Sequence, residues 1–222
     1  MRHFAPRLRA AVVGTALLAA GCAEAPAPPV AVFRDSGAII GPDPAFDPAT
    51  PPPDWFAGPD AGQAFAVVER AGLVALEIRR ADTAIGRRVA IPLLAAPFLR
   101  WGWHLEQPTP DAGIRLVVGL ARRGDRTAAA ERIEIAFVGA GAGGARVTAA
   151  ANGGPPILLR RADGSASSGW QVEAIDLAAL HRQFRPGGAG ADLDVVFVAV
   201  GGVGRRIDGR PLGQIAEVVL SR

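Results

Sequence analysis

The stretch Leu99-Arg100-Trp101-Gly102-Trp103-His104-Leu105 constrains this fold more than any other. Side chains of a strand alternate between two faces. Leu99, Trp101, Trp103 and Leu105 then share one face, and Arg100, Gly102 and His104 share the other. A helix, at roughly 100° per residue, would set the two indoles about 200° apart and split the apolar set. The pattern predicts a strand with one heavily apolar face. Two indoles there, each covering on the order of 150–250 Å², read as core, and the flanking leucines favour that reading. The functional alternative is a platform on which a sugar or another flat ligand stacks, with His104 beside it.

From Phe65 onward the chain repeats the theme as short apolar runs cut by Gly, Pro and Asp. Strands are predicted at 65–69, 73–79, 87–93, 98–105, 114–121, 132–138, 157–161, 170–175, 194–200 and 214–220. Ala71-Gly72 marks a tight hairpin turn. Such spacing predicts an all-β domain, an antiparallel sandwich or barrel. One short helix is predicted from Asp176 to Phe184, capped by Asp176 and stopped by Pro186-Gly187-Gly188. Leu177, Leu180, His181 and Phe184 fall on one of its sides.

The first residues carry a different message. Arg2, Arg7 and Arg9 precede an apolar run from Ala10 to Ala20, which ends Leu17-Leu18-Ala19-Ala20-Gly21-Cys22. Spanning a bilayer takes about 20 apolar residues, so this run reads as a signal-peptide core. Its end resembles a bacterial lipobox, in which small residues precede a cysteine that is lipidated and becomes the mature N-terminus. Cys22 is the one cysteine of the chain and has no internal disulfide partner. Lipidation at Cys22 predicts a membrane-anchored envelope protein. Ala23 follows it, which resembles the outer-membrane sorting pattern, facing the periplasm. Residues 1–21 are therefore expected to be a lipoprotein signal peptide. Residues 22–60, with 10 Pro between Ala23 and Asp60, read as an extended tether, and 61–222 as the sandwich. Val30 to Phe33 and Ala38 to Ile40 could dock back as short edge strands, with Trp55 buried where the tether meets the fold.

Without the leader the chain has 21 Arg against 21 acidic residues, and no Lys. That balance argues against a nucleic-acid partner. His104 and His181 are the histidines that remain. With no cysteine partner and no metal-ligand spacing they predict no metal site, and nothing else in the chain calls for a cofactor. Gly139-Ala140-Gly141-Ala142-Gly143-Gly144 fits the dinucleotide fingerprint, with Asp163 downstream. The helix that should follow has scarcely two turns before Gly153-Gly154-Pro155-Pro156, so a glycine-rich loop is the expected reading. Ser165-Ala166-Ser167-Ser168 is not a nucleophile elbow. Arg115 stands in an otherwise apolar strand, on a face with Val117 and Gly119. It either pairs with Asp111 or Glu134, or grips a ligand from a cleft.

Pro53-Asp54-Trp55, Leu99 to Trp103, Arg115, Gly169-Trp170 and Asp176 to Phe184 occur in an order that resembles an uncharacterised bacterial family, domain of unknown function 3047. The resemblance spans about 54 to 220 and implies a jelly-roll-like β-sandwich, with no established activity. This chain departs from it between Gly201 and Arg210, where Asp208 alone represents an Asp-rich loop, and at Ile135-Ala136-Phe137, where aromatics are usual.

The function expected from these features is a non-catalytic, lipid-anchored module that binds a glycan or another envelope component. Trp101, Trp103, His104 and Arg115 would lie near its ligand, and no catalytic residue is assigned. The alternatives are a glycan-active hydrolase, which needs two carboxylates across a cleft, and a protein-binding envelope scaffold, which needs an apolar patch.

Overall fold

A computed structural model describes residues 38–41, 44–106, 109–110, 112–124, 131–139, 144–148, 156–161, 169–186, 192–204 and 209–222. Cys22, Val30 to Phe33, Asp111, Asp163, the serines at 165–168 and Asp208 lie outside them.

Thirteen strands and two short helices are described, in the order β1 (Ala38–Ile40), β2 (Trp55–Ala57), α1 (Ala61–Ala64), β3 (Phe65–Arg70), β4 (Leu73–Ile78), β5 (Ala84–Pro92) and β6 (Phe98–Leu105). Then come β7 (Ala112–Arg122), β8 (Glu131–Val138), β9 (Gly144–Thr148), β10 (Ile157–Arg161), β11 (Gln171–Asp176), α2 (Leu177–Phe184), β12 (Leu193–Gly204) and β13 (Gly213–Ser221). One sheet has the order β11-β6-β13-β4-β3, with β1 also paired to β13. The second has the order β2-β5-β12-β7-β8-β10-β9. The domain is an all-β, jelly-roll-like sandwich. Its pairs are antiparallel except for β8 with β10.

Alternation makes the core. On β6, Leu99, Trp101, Trp103 and Leu105 point inward and are buried. Both indoles pack on Phe137 of β8, with ring centroids 5.6 and 4.8 Å away. Ile114, Leu116, Val118 and Leu120 of β7 and Ile133 and Ile135 of β8 complete the opposite layer. Truncating a large residue in such a layer costs about 3–5 kcal/mol.

Several local features follow from the sequence. Ala71 and Gly72, at φ 53° and 77°, form the hairpin turn between β3 and β4, where two positive φ values match the strand twist. Asp176 caps α2, its Oδ1 accepting from the backbone N–H of Ala179 at 2.8 Å. Leu177, Leu180 and His181 of α2 are buried, and His181 Nε2 lies 2.8 Å from Glu131 Oε2 of β8.

Three expectations change. The sandwich begins before residue 61, because β1 pairs with β13 and β2 with β5. Ile39 and Ile40 are core residues, and Arg87 Nη1 donates to the carbonyls of Ala38 and Ile39 at 3.3 and 3.4 Å. Trp55 is half-buried against Phe46, at 4.5 Å. A second helix, the single turn α1, precedes β3. The glycine-rich run leads into a strand, since Gly144–Thr148 pairs antiparallel with β10. A strand there offers no helix N-terminus to a pyrophosphate, which removes the dinucleotide reading.

Candidate functional site

The outer face of the seven-stranded sheet is built from three adjacent rows of cross-strand neighbours. The middle row runs Phe56, Gly86, Ala199, Val117, Glu134 across β2, β5, β12, β7 and β8. On one side lie Arg88, Phe197, Gly119 and Arg132, and on the other Ala84, Gly201, Arg115 and Ala136. Strands lie about 4.8 Å apart, so the middle row spans about 19 Å. Its large groups stand at the ends, and Ala199 and Val117 between them are small and buried. The row therefore has small side chains between an aromatic end and a charged end, and we call this stretch the trough.

At the charged end, Arg115 Nη1 lies 3.5 Å from Glu134 Oε2, with the two side chains 24% and 20% exposed. The distance is at the outer limit of a hydrogen bond, so the pair is oriented more than clamped. Arg115 Nε is buried and has no hydrogen-bond partner among the described residues. An unmet buried donor costs about 1–3 kcal/mol and is a place where a ligand oxygen would be welcome. At the aromatic end, Phe56 and Phe197 meet edge to face at 5.4 Å.

The outer face of the six-stranded sheet carries a second polar cluster. His104, Gln214 and Glu77 are direct neighbours across β6, β13 and β4. Gln214 Nε2 donates to Glu77 Oε2 at 3.3 Å and its Oε1 accepts from Arg70 Nη1 at 3.4 Å. Arg70 also pairs with Glu106, and Arg79 Nε with Glu77 at 2.8 Å. His104 is 2% exposed, with Nδ1 3.7 Å from Glu106 Oε2 and Trp170 6.0 Å away. Each carboxylate here already has a guanidinium, so the cluster reads as a brace joining β3, β4, β6 and β13.

The four residues expected at one site are thus dispersed. Trp101 and Trp103 are inside the core, 0% and 3% exposed, and neither offers a ring for stacking. His104 is on an outer face as alternation requires, but it is buried beneath its neighbours instead of solvated. It lies on the opposite side of the sandwich from Arg115. Of the two partners expected for Arg115, Glu134 takes the position. Phe56 and Phe197 are the aromatic residues that the sequence did not single out. A bulge between Val195 and Phe197 reverses the alternation inside an unbroken apolar run, which hides the outward turn of the ring. Among the described residues no three His, Cys, Asp or Glu side chains converge as a metal site would need.

No protein-family model matches the sequence, and no curated protein matches it. Solved structures do match in fold. A family 12 glycoside hydrolase is 14% identical over 71% of this chain and 86% of its own, with a TM-score of 0.46. The catalytic domain of Humicola grisea Cel12A, in complex with a thio cellotetraose, is 10% identical over 67% of this chain and 79% of its own, with a TM-score of 0.45. The xyloglucanase domain of NopAA from Sinorhizobium fredii, in complex with cellobiose, is 10% identical over 83% and 91%, with a TM-score of 0.41. Similarity at this level concerns architecture and transfers no residue role. The expectation of a non-catalytic module that binds its ligand at Trp101 and Trp103 is corrected, because both indoles are buried in the core.

Proposed function

We propose that this protein is a glycan-active hydrolase that holds its substrate in the trough across the seven-stranded sheet. One observation carries the reading: Glu134, half-buried, faces the floor of small side chains on the same row as Phe56. A chain laid across the strands would touch both ends of that row. A carboxylate so placed can attack a glycosidic carbon or activate water beside it. Arg115, in contact with one of its oxygens, is a positioning residue, and its buried Nε is a donor for a sugar hydroxyl.

Glycosidic cleavage also requires a proton for the leaving oxygen; Glu134 is the one carboxylate in the three rows, so on a natural glycan that proton comes from water and not from a second acid. Dinitrophenyl glycosides need none, because dinitrophenolate departs unprotonated, and they isolate the step given to Glu134. A panel of dinitrophenyl glucosides, xylosides, N-acetylglucosaminides and uronides is expected to contain one that the protein cleaves. Glu134→Gln should lower that rate by roughly 100-fold or more. Release no faster than in buffer from every member would overturn the hydrolase reading.

The same reading places the enzyme at the cell envelope, held to the outer membrane by acyl chains on Cys22. The sequence Leu17 to Cys22 and the proline-rich run after it support this. Among the described residues no helix is long and apolar enough to cross a membrane. Expression in a bacterial host with detergent phase partitioning tests it. Wild type should enter the detergent phase and Cys22→Ser the aqueous phase. Equal partitioning of both sinks the anchor.

A further inference from the structure

Two arginines on the trough face have their guanidinium groups on aromatic rings instead of on carboxylates. The Arg88 guanidinium carbon sits 5.3 Å from the centroid of Phe56, and that of Arg132 sits 5.8 Å from the centroid of Phe197. Arg88 Nη1 also donates to the carbonyl of Trp55 at 3.3 Å. Both arginines are exposed, and among the described residues neither forms an ion pair.

Each ring also lies against a glycine of the neighbouring strand. A Cβ on Gly119 would fall 2.1 Å from the Phe197 ring, and one on Gly86 would fall 2.7 Å from Phe56 Cζ. Each ring therefore fills the space that a side chain at that glycine would take, and the two rings meet at 85°. Each ring carries a guanidinium over it, so an arginine stands where a sugar would stack on that side. What the face presents outward is a pair of guanidinium planes, steadied by the ring quadrupoles. Arg88 and Arg132 are three strands apart in one row, about 14 Å. Arg115 adds a third positive charge, and Glu134 is the one negative charge in these three rows. A planar fork of N–H donors matches carboxylate, sulfate and phosphate oxygens. A neutral glycan would leave both forks facing water.

We infer that the substrate is an anionic glycan, and that Arg88 and Arg132 read its charge. The inference rests on the trough being the glycan site. The test is binding of polygalacturonate, dextran sulfate and an uncharged β-glucan to the full-length protein in detergent, by affinity electrophoresis at low and raised salt. At least one polyanion should bind at least tenfold more tightly than the neutral glucan. That binding should weaken with salt and fall at least tenfold in the Arg88→Gln/Arg132→Gln double variant. A preference for polygalacturonate identifies carboxylate as the anion, and one for dextran sulfate identifies sulfate. Arg79→Gln, on the opposite outer face, should change nothing, and an equal loss from it overturns the assignment to this face. If the neutral glucan binds as tightly as the polyanions, the inference fails while the glycan site stands. If no glycan binds, the glycan reading itself falls. Both arginines are exposed, and unchanged melting temperatures confirm that the variants remain folded.

Discussion

Arg160 and Glu173 face one another between the two sheets, Nε to Oε2 at 3.5 Å. β10 and β11 lie near the sheet edges, so the pair closes one side of the sandwich above the packed indoles. Burial pushes the Glu173 carboxyl above its ordinary value of 4.5, and the Arg160 guanidinium and the Trp103 indole only partly oppose that. The indole N–H leans toward the carboxylate without completing a hydrogen bond. Since the folded-state pKa is raised, the native state keeps this proton to higher pH than the unfolded chain does. Stability from this group is present at acid pH and is lost as pH rises above about 4.5 through the folded value. Glu173→Gln removes that titration. Relative to wild type, the variant should gain stability between about pH 4 and pH 7. Urea melts across this range check it, and a difference independent of pH refutes it.

Trp101 and Trp103 are core residues, and their emission should report that. Iodide should quench only the half-buried Trp55 and Trp170, leaving a blue-shifted, resistant fraction. Trp103→Ala should remove part of that fraction and cost about 3–5 kcal/mol. Full quenching in native buffer would contradict the packing described.

Glycines on β6 and β7, consecutive in the chain but in different sheets, differ in what they tolerate. A Cβ on Gly113 would sit 1.8 Å from the Phe137 carbonyl oxygen, whereas one on Gly102 meets Ala216 Cβ at 3.5 Å. Backbone cannot yield as a side-chain tip can. Gly113→Ala should destabilise by about 3 kcal/mol. Gly102→Ala should be neutral or stabilise by up to about 1 kcal/mol. Denaturant midpoints of the two variants decide it.

The cap of α2 is a separable contribution. Asp176→Ala removes the acceptor for the Ala179 N–H and should cost about 1 kcal/mol, while Asp176→Asn should keep most of it. Hydrogen exchange should quicken at 177–180 and stay unchanged in β7. His181, bonded to Glu131, continues to hold the far end of the helix.

Strands were legible where alternation runs unbroken. The bounds read for 98–105 and 157–161 are those observed, and Asp176 announces its helix. β1 and β2 have three residues each, too few to display a period, and they hide in proline-rich sequence. β9 follows glycines that carry no periodic signal at all. At the site, Arg115 was visible as a charge among apolar neighbours, and Glu134 as one of its partners. The rings over Gly86 and Gly119 were not, because each contact joins residues brought together by sheet order alone. His104 illustrates the remaining limit. Alternation fixes its face, but whether that face is wet depends on Trp170 and Gln214, which arrive from distant points of the chain.

The early entry of β1 into the sheet has a consequence for reach. Only the 15 residues Ala23–Gly37 separate Cys22 from the first strand. Fully extended, they span at most about 50 Å. A protein tied down at Cys22 would work a shell of that depth beside its membrane. Its substrate would be whatever polymer occupies that layer, and lengthening the segment with Gly-Ser repeats would widen the territory without touching the fold.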